Sequence, residues 1–313
     1  PTDPHTVYKS SAASDVYKRQ IQHHALREEG YGEINFMARG IYHATLLNTV
    51  SPTYAREIRT PAGGAGLDGL LRHRGSDVRG ILNGIDYAEW NPTEDPRLPA
   101  PFDAQSIELR RHNRHALQNL VGLPQTDFIP LIGMVSRLDW QKGLDITGHV
   151  IHLLMNGFAG EAQFVVLGTG AGEYEAMFAQ MAGYHKQKMA AILEFNAALA
   201  PLIYAGSDMF IMPSLFEPCG LGQLIAMRYG SVPVVKETGG LADTVQDSVT
   251  GFSFRQHTVG DFWQAMQRAI HVYNADKEKW REIQLNGMNS DYSWERSAAE
   301  YVSLYSEAIA RHR

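Results

Sequence analysis

Residues 128–143, FIPLIGMVSRLDWQKG, decide the fold. A nearly unbroken apolar run, Phe128 to Val135, gives way to a polar loop that carries Arg137, Asp139 and Lys142 and closes on Gly143. Apolar residues on both faces of a strand are expected where the strand is covered on both sides, as in a parallel sheet. The run therefore reads as a buried β-strand. The loop at its carboxyl end lies where open α/β sheets bind their ligands.

Downstream the alternation continues. Ile146, Val150, Leu153 and Leu154 fall on one helical face, and Phe164–Leu167 is a second strand running into Gly168-Thr169-Gly170. Met189–Leu193, Asp208–Met212 and Val232–Val235 read as three further strands, with helical stretches between them. Strand–helix alternation of this kind specifies a doubly wound, Rossmann-like α/β domain, here over residues 125–290. From Trp294 a last helix is expected, within residues 291–313, with Trp294, Ala298, Tyr301, Tyr305 and Ala308 on one stripe.

Upstream, residues 21–124 read as a smaller, loop-rich region and a linker. Leu46–Val50 is a short β-leaning run, and Ile81–Asp86 resembles a strand that ends in a turn. Asn91-Pro92 and the Pro96–Pro101 stretch mark the linker. A basic helix follows, with Leu109, Ala116, Leu117 and Leu120 spaced for one apolar face and a stop near Gly122 and Pro124. Residues 1–20 are polar and show neither apolar period, so they read as a disordered or non-native lead-in.

The totals narrow the class. Among 313 residues, 44% are hydrophobic and 20% charged, an ordinary globular balance. A formal charge of −6 argues against wholesale binding to nucleic acid or a membrane surface, which rests on clustered Lys and Arg. No apolar run reaches the roughly 20 residues of a membrane helix, and the expected location is cytoplasmic. The single cysteine, Cys219, excludes a disulfide framework within the chain. Thirteen histidines form no HExxH or Cys/His ladder, so no metal site is legible.

Four segments at the carboxyl ends of the expected strands could carry chemistry. Arg137 and Lys142, five residues apart on one loop, can converge on a diphosphate, where charge-assisted hydrogen bonds are strongest. Gly168 and Gly170 permit a tight turn and a close backbone approach to phosphate, although a plain turn uses glycine equally well. Glu217 precedes the Pro-Cys-Gly-Leu turn of Pro218–Leu221. A carboxylate there repels phosphate, so it suits sugar hydroxyls or positive charge at an anomeric carbon, or else it simply caps the helix. Thr238, Gly239, Gly240 and Leu241 again place glycines between a strand and a helix. A dehydrogenase is excluded, because no first-strand glycine fingerprint with a later ribose-binding acid is present.

Taken together, these strings resemble the bacterial glycogen synthase and plant starch synthase family. The resemblance is carried by Asn48–Tyr54, Gly80–Asp86, Ser136–Leu138 with Gln141–Gly143, Phe216–Leu221 and Thr238–Val245, and runs from about residue 30 to the end. It implies a GT-B-like fold: a C-terminal Rossmann-like domain that holds the nucleotide sugar, plus the remnant of an N-terminal Rossmann-like domain on the acceptor side. It implies transfer of glucose from ADP-glucose to the non-reducing end of an α-1,4-glucan (glycogen), with retention and with no metal or other cofactor. By motif, Glu217, Arg137 and Lys142 are the catalytic residues. Gly168, Gly170, Cys219, Gly220, Leu221, Thr238, Gly239, Gly240 and Leu241 are the substrate-binding ones. The last helix is expected to cross back onto the first domain.

The chain also departs from the family. It shows no Lys-Thr-Gly-Gly-Leu segment before residue 30 and no counterpart of the N-domain histidine; Leu215 stands where Arg commonly precedes Phe-Glu-Pro-Cys, and Ala200-Pro201-Leu202 replaces a basic stretch. The expectation is an N-terminally truncated chain that keeps a donor half-site and has little turnover. The alternatives are a GT-B enzyme that uses a UDP-sugar, or an inactive nucleotide- or glucan-binding fragment.

Overall fold

The computed structural model describes residues 35–312, so the lead-in expected over residues 1–20 lies outside the described part. Chain order begins with α1 (Phe36–His43), β1 (Leu47–Thr49), α2 (Pro52–Glu57), α3 (Asp68–Arg74) and β2 (Val78–Gly80). β1 and β2 pair in parallel, Leu47 opposite Val78 and Thr49 opposite Gly80. The strand expected over Ile81–Asp86 is thus displaced to Val78–Gly80. A Cβ at Gly80 would stand 2.2 Å from the Ser51 backbone, so the ladder ends where β2 runs against that turn. Ile85 leaves the small sheet and donates its N–H to Tyr292 O instead.

An irregular linker leads to α4 (Arg110–Leu120), and here the expected apolar face holds only at Ala116 and Leu117. The buried side chains of α4 are Arg110, Asn113, Arg114, Leu117 and Gln118, while Leu120 is 64% exposed and Leu109 precedes the helix. The polar face is buried because it meets carbonyls. Arg110 donates to Tyr229 O, Tyr204 O and Ser207 O, and burial lowers its pKa to about 10. Arg114 donates to Asp208, Ile129 O and Thr126 O. These bonds also explain why the first strand of the main sheet is shorter than expected. With Ile129 O turned to a guanidinium and Phe128 88% exposed, the strand starts at Leu131.

The main sheet is entirely parallel: β3 (Leu131–Val135), β4 (Gln163–Leu167), β5 (Met189–Ile192), β6 (Met209–Met212), β7 (Val232–Lys236) and β8 (Phe252–Phe254). Its order is β5-β4-β3-β6-β7-β8, the doubly wound pattern that reverses direction between β3 and β6. The short β8 is an addition to the strands expected from sequence. Helices α5 (Leu144–Met155), α6 (Gly172–Tyr184), α7 (Ala200–Gly206), α8 (Gly222–Arg228) and α9 (Gly239–Thr244) connect the strands, and α10 (Val259–Ala275) and α11 (Lys277–Met288) follow the last of them.

Successive strand side chains point to opposite faces, and the cores obey that rule. Ile132, Met134, Phe164, Val166, Met209 and Ile211 join one cluster with Leu144, Val150, Phe178, Phe262 and Trp280. Leu131, Val165, Leu167 and Phe210 join another with Leu117, Ile203, Leu224 and Tyr229. Both faces of β3 are therefore covered, which is why its sequence is a continuous apolar run.

The final helix, α12 (Trp294–His312), returns to the small sheet. Asn48 Nδ2 donates to Tyr301 Oη at 3.2 Å, Arg79 pairs with Glu307 at 2.9 Å, and Arg311 pairs with Asp77 at 2.5 Å. Its packed stripe is Ser297, Tyr301, Leu304 and Ala308, whereas Trp294, Ala298 and Tyr305 of the expected stripe are exposed. Among the described residues no helix is long and apolar enough to cross a membrane.

Candidate functional site

A cavity of 210 Å³ opens at the β3/β6 reversal. It is lined by the ends of β3 and β6 together with Arg137, Lys142, Ser214, Glu217, Gly220 and Leu221. Each lining segment is shaped by its own sequence. Asp139 Oδ1 accepts the Gln141 N–H and starts a short 3-10 turn over Trp140–Lys142. Gly143 then takes a left-handed conformation, φ 71°. That conformation favours glycine, and the space demands it as well, since a Cβ would lie 2.1 Å from Pro213 O. The 3-10 turn thus sits directly on the segment after β6. Leu215 N–H donates to Gln141 O at 2.8 Å, Gln141 Nε2 to Phe216 O at 3.2 Å, and the Trp140 and Phe216 rings meet edge to face.

Lys142 Nζ consequently reaches the Glu217 carboxylate at 2.6 Å, across 75 residues of sequence. Ser214 Oγ donates to the same oxygen at 3.0 Å. Glu217 is 8% exposed and Ser214 1%. An ammonium offers three donors, so Lys142 can hold Glu217 and still face an anion in the cavity. Arg137 is exposed on the same rim. The arrangement can place two cations on one ligand group while a carboxylate stands at a fixed distance beside it.

The glycines divide by what they touch. Gly220 (φ 72°) and Leu221 line the cavity, and Cys219 is buried behind them. Burial pushes the Cys219 thiol up, against a smaller opposing contribution from the Asn83 backbone. Gly168 and Gly170 lie outside the cavity lining. A Cβ on Gly168 would stand 1.9 Å from Ser136 O, and one on Gly170 2.3 Å from Leu138 O. Their smallness lets the two loops zip together, with Leu138 N–H on Thr169 O and Ala171 N–H on Leu138 O. The Gly170 N–H and Thr169 hydroxyl are both taken by Glu175 Oε1.

The Thr238–Leu241 turn is likewise internally satisfied. Gly240 N–H donates to Glu217 O at 3.1 Å and Leu241 N–H to Thr238 O at 3.0 Å. Gly239 N–H and Thr238 Oγ1 both donate to Glu57 Oε1, at 3.0 and 3.1 Å. Burial lowers the Lys236 ammonium, which donates to Leu215 O at 3.0 Å, and the Glu57 charge partly offsets that shift.

Sequence reasoning missed four residues here: Ser214, Tyr204, Glu57 and Lys236. Ser214 could have been found, because it lies two residues past a strand and three before Glu217. Tyr204, which lines the cavity from α7, reads as an ordinary apolar helix residue. Glu57 is 181 residues from its partner Thr238, and nothing local marks it.

The profile described as "Glycosyl transferases group 1" matches residues 129–271, and that described as "Starch synthase catalytic domain" matches residues 6–73, starting inside the presumed lead-in. Glycogen synthase from Thermosipho africanus is 47% identical over 291 residues, 91% of this chain and 59% of that protein. Glycogen synthase from Moorella thermoacetica is 43% identical, over 100% of this chain and 63% of its own length. The catalytic domain of starch synthase IV from Arabidopsis thaliana, bound to ADP and acarbose, superposes with a TM-score of 0.82 at 39% identity, covering 88% of this chain and 58% of that one. Sucrose-phosphate synthase from Thermosynechococcus elongatus, at 18% identity and a TM-score of 0.61 over 94% of this chain and 66% of that one, shares the fold alone. The chain spans about three-fifths of the length of these glycogen synthases. Along that span it is similar to the glycogen and starch synthases, and it has the fold of GT-B glycosyltransferases.

Proposed function

We propose that the cavity at the β3/β6 reversal is the donor site of a retaining glucosyltransferase. Its donor is ADP-glucose and its acceptor the non-reducing end of an α-1,4-glucan, in the cytoplasm. One observation carries this reading: Lys142 and Glu217 meet at 2.6 Å in a switch-point cavity that Arg137 also lines. In a doubly wound sheet that cavity is where a nucleotide ligand is expected.

Arg137 and Lys142 hold the diphosphate and neutralise the charge that develops on departing ADP, as a divalent cation would. Preorganised charge of this kind costs no reorganisation when the glycosidic bond to phosphate breaks. Glu217, kept beside Lys142 by Ser214, faces the sugar end, where it accepts sugar hydroxyls and stabilises positive charge at the anomeric carbon. The Gly220 and Leu221 backbone contacts phosphate or sugar. Gly168 and Gly170 contribute by holding the Arg137 loop in place, and Thr238–Leu241 closes the donor side. Turnover requires both reactants oriented and water excluded.

The test is calorimetric titration of the chain with ADP and with UDP, repeated on Arg137→Ala. Loss of one charged hydrogen-bonding partner costs about 1.5–3 kcal/mol, roughly 10- to 150-fold in Kd. ADP binding that exceeds UDP binding and weakens by that factor supports the reading. Equal or tighter UDP binding points to a UDP-sugar enzyme, and binding of neither nucleotide refutes a donor site in this chain.

A further inference from the structure

Helices α2 and α9 lie side by side and antiparallel, and each receives a carboxylate from the last turn of the other. Glu57, the final residue of α2, accepts the Gly239 N–H and the Thr238 hydroxyl at the start of α9. Asp243, in the last turn of α9, accepts the Thr53 N–H at 2.8 Å and the Thr53 hydroxyl at 2.6 Å at the start of α2. Carboxylates suit helix starts, where N–H groups lack intrahelical partners. Two such contacts in opposite senses fix both the rotation and the sliding of one helix on the other. The outer end of this clamp is itself anchored: Ser51 is fully buried, caps α2 through Tyr54 N–H, and abuts Gly80 of the small sheet.

The inner end presses on the candidate site. Ideal Cβ atoms on Gly239 and Gly240 would each lie 1.9 Å from a carbonyl, that of Glu217 for the first and Cys219 for the second. Gly240 N–H is bonded to Glu217 O. The Thr238–Gly240 turn therefore rests on the backbone of Glu217–Cys219 with no slack, and Glu57 holds that turn from the other side.

We propose that Glu57 is a positioning residue of the transfer site. By holding the Thr238–Gly240 turn against Glu217–Cys219, with Asp243 and Thr53 holding the opposite end of the clamp, it sets where the Glu217 carboxylate stands beside Lys142. This rests on the reading of Glu217 as the group at the sugar end. Glu57 touches no substrate in this role; it acts through the turn.

The experiment compares Glu57→Ala, Glu57→Gln and Asp243→Ala in this chain by hydrogen–deuterium exchange, with ADP titration alongside. In Glu57→Ala the amides of Gly240, Glu217 and Cys219–Leu221 are expected to exchange at least about tenfold faster, while β4 amides keep their wild-type rates. Glu57→Gln, whose side-chain carbonyl still accepts both bonds, is expected to restore most of the protection. Asp243→Ala is expected to loosen the same segment from the far end, and it decides the matter if Glu57→Ala does not fold. Acceleration confined to Gly239, uniform acceleration that includes β4, or a Gln variant as loose as Ala overturns the proposal. If the wild-type chain binds no ADP, the donor-site reading falls, while the exchange pattern still decides whether Glu57 positions Glu217.

Discussion

Replacing Gly143 by alanine separates two costs that the structure keeps distinct. Gly143 has φ 71° and ψ 31°, so any L side chain there carries left-handed strain of about 1–2 kcal/mol. The new Cβ would also lie 2.1 Å from Pro213 O, more than 1 Å inside ordinary contact. Relieving that overlap must separate the Lys142 turn from the segment that carries Glu217, an overpacking cost of about 1–3 kcal/mol. Gly157 is the control. Its φ is 78°, yet a Cβ there meets nothing within 4 Å, so Gly157→Ala carries the strain without the collision. Gly143→Ala should lose about 2–5 kcal/mol, roughly 5–15 °C in Tm, and Gly157→Ala only about 1–2 kcal/mol. Calorimetry with ADP should show a roughly 10- to 100-fold weaker Kd in Gly143→Ala, from loss of the Lys142 contact, and a normal Kd in Gly157→Ala. Equal destabilisation by the two variants, or wild-type ADP affinity in Gly143→Ala, would refute the claim that this contact seats Lys142.

Three further outcomes are expected. Arg114→Ala leaves the Asp208 carboxylate, which also accepts the Leu131 N–H at 2.8 Å, without its cation in a mostly buried setting; a loss of about 3–5 kcal/mol should appear in chemical denaturation, and a loss below about 1 kcal/mol would show the pair to be incidental. Cys219 is 6% exposed and its thiol is pushed up by burial, so alkylation by iodoacetamide at pH 8 should run far slower than for a free thiol and recover on unfolding; fast labelling of the native chain would contradict that burial. Burial pushes the Asp95 carboxyl up, but the bonds from Arg97 and Tyr229 outweigh it and hold the group below its ordinary value. Its contribution is therefore present above the ordinary aspartate pKa and lost as pH falls through the lower folded value. Unfolding free energies measured between about pH 5 and 2 should fall less steeply in Asp95→Asn than in wild type, and identical slopes would remove Asp95 from the acid response.

The apolar runs at Leu131–Val135, Phe164–Leu167 and Val232–Val235 made the parallel sheet legible, because a strand covered on both faces is written mainly in apolar residues. The loops after those strands were legible for the same reason: a sudden Arg, Lys, Glu or Gly cluster at the end of such a run falls on the ligand rim. Arg137, Lys142 and Glu217 were thus named from local pattern alone, as was the likeness to glucan synthases. What pattern could not reach was anything held by partners distant in the chain. The buried face of α4 is polar because carbonyls of residues 129, 204, 207 and 229 receive its arginines, and the packed stripe of α12 follows the small sheet rather than its own aromatic content. The 2.6 Å meeting of Lys142 with Glu217 depends on Gly143 fitting against Pro213 O. The placing of Glu57 on Gly239 depends on β1 and β2 pairing elsewhere. Hydrophobic periodicity is a local property of the chain and settles the elements. Hydrogen bonds across 70 to 190 residues exist only once those elements have packed, and they, rather than the sequence pattern, aim the side chains of the site.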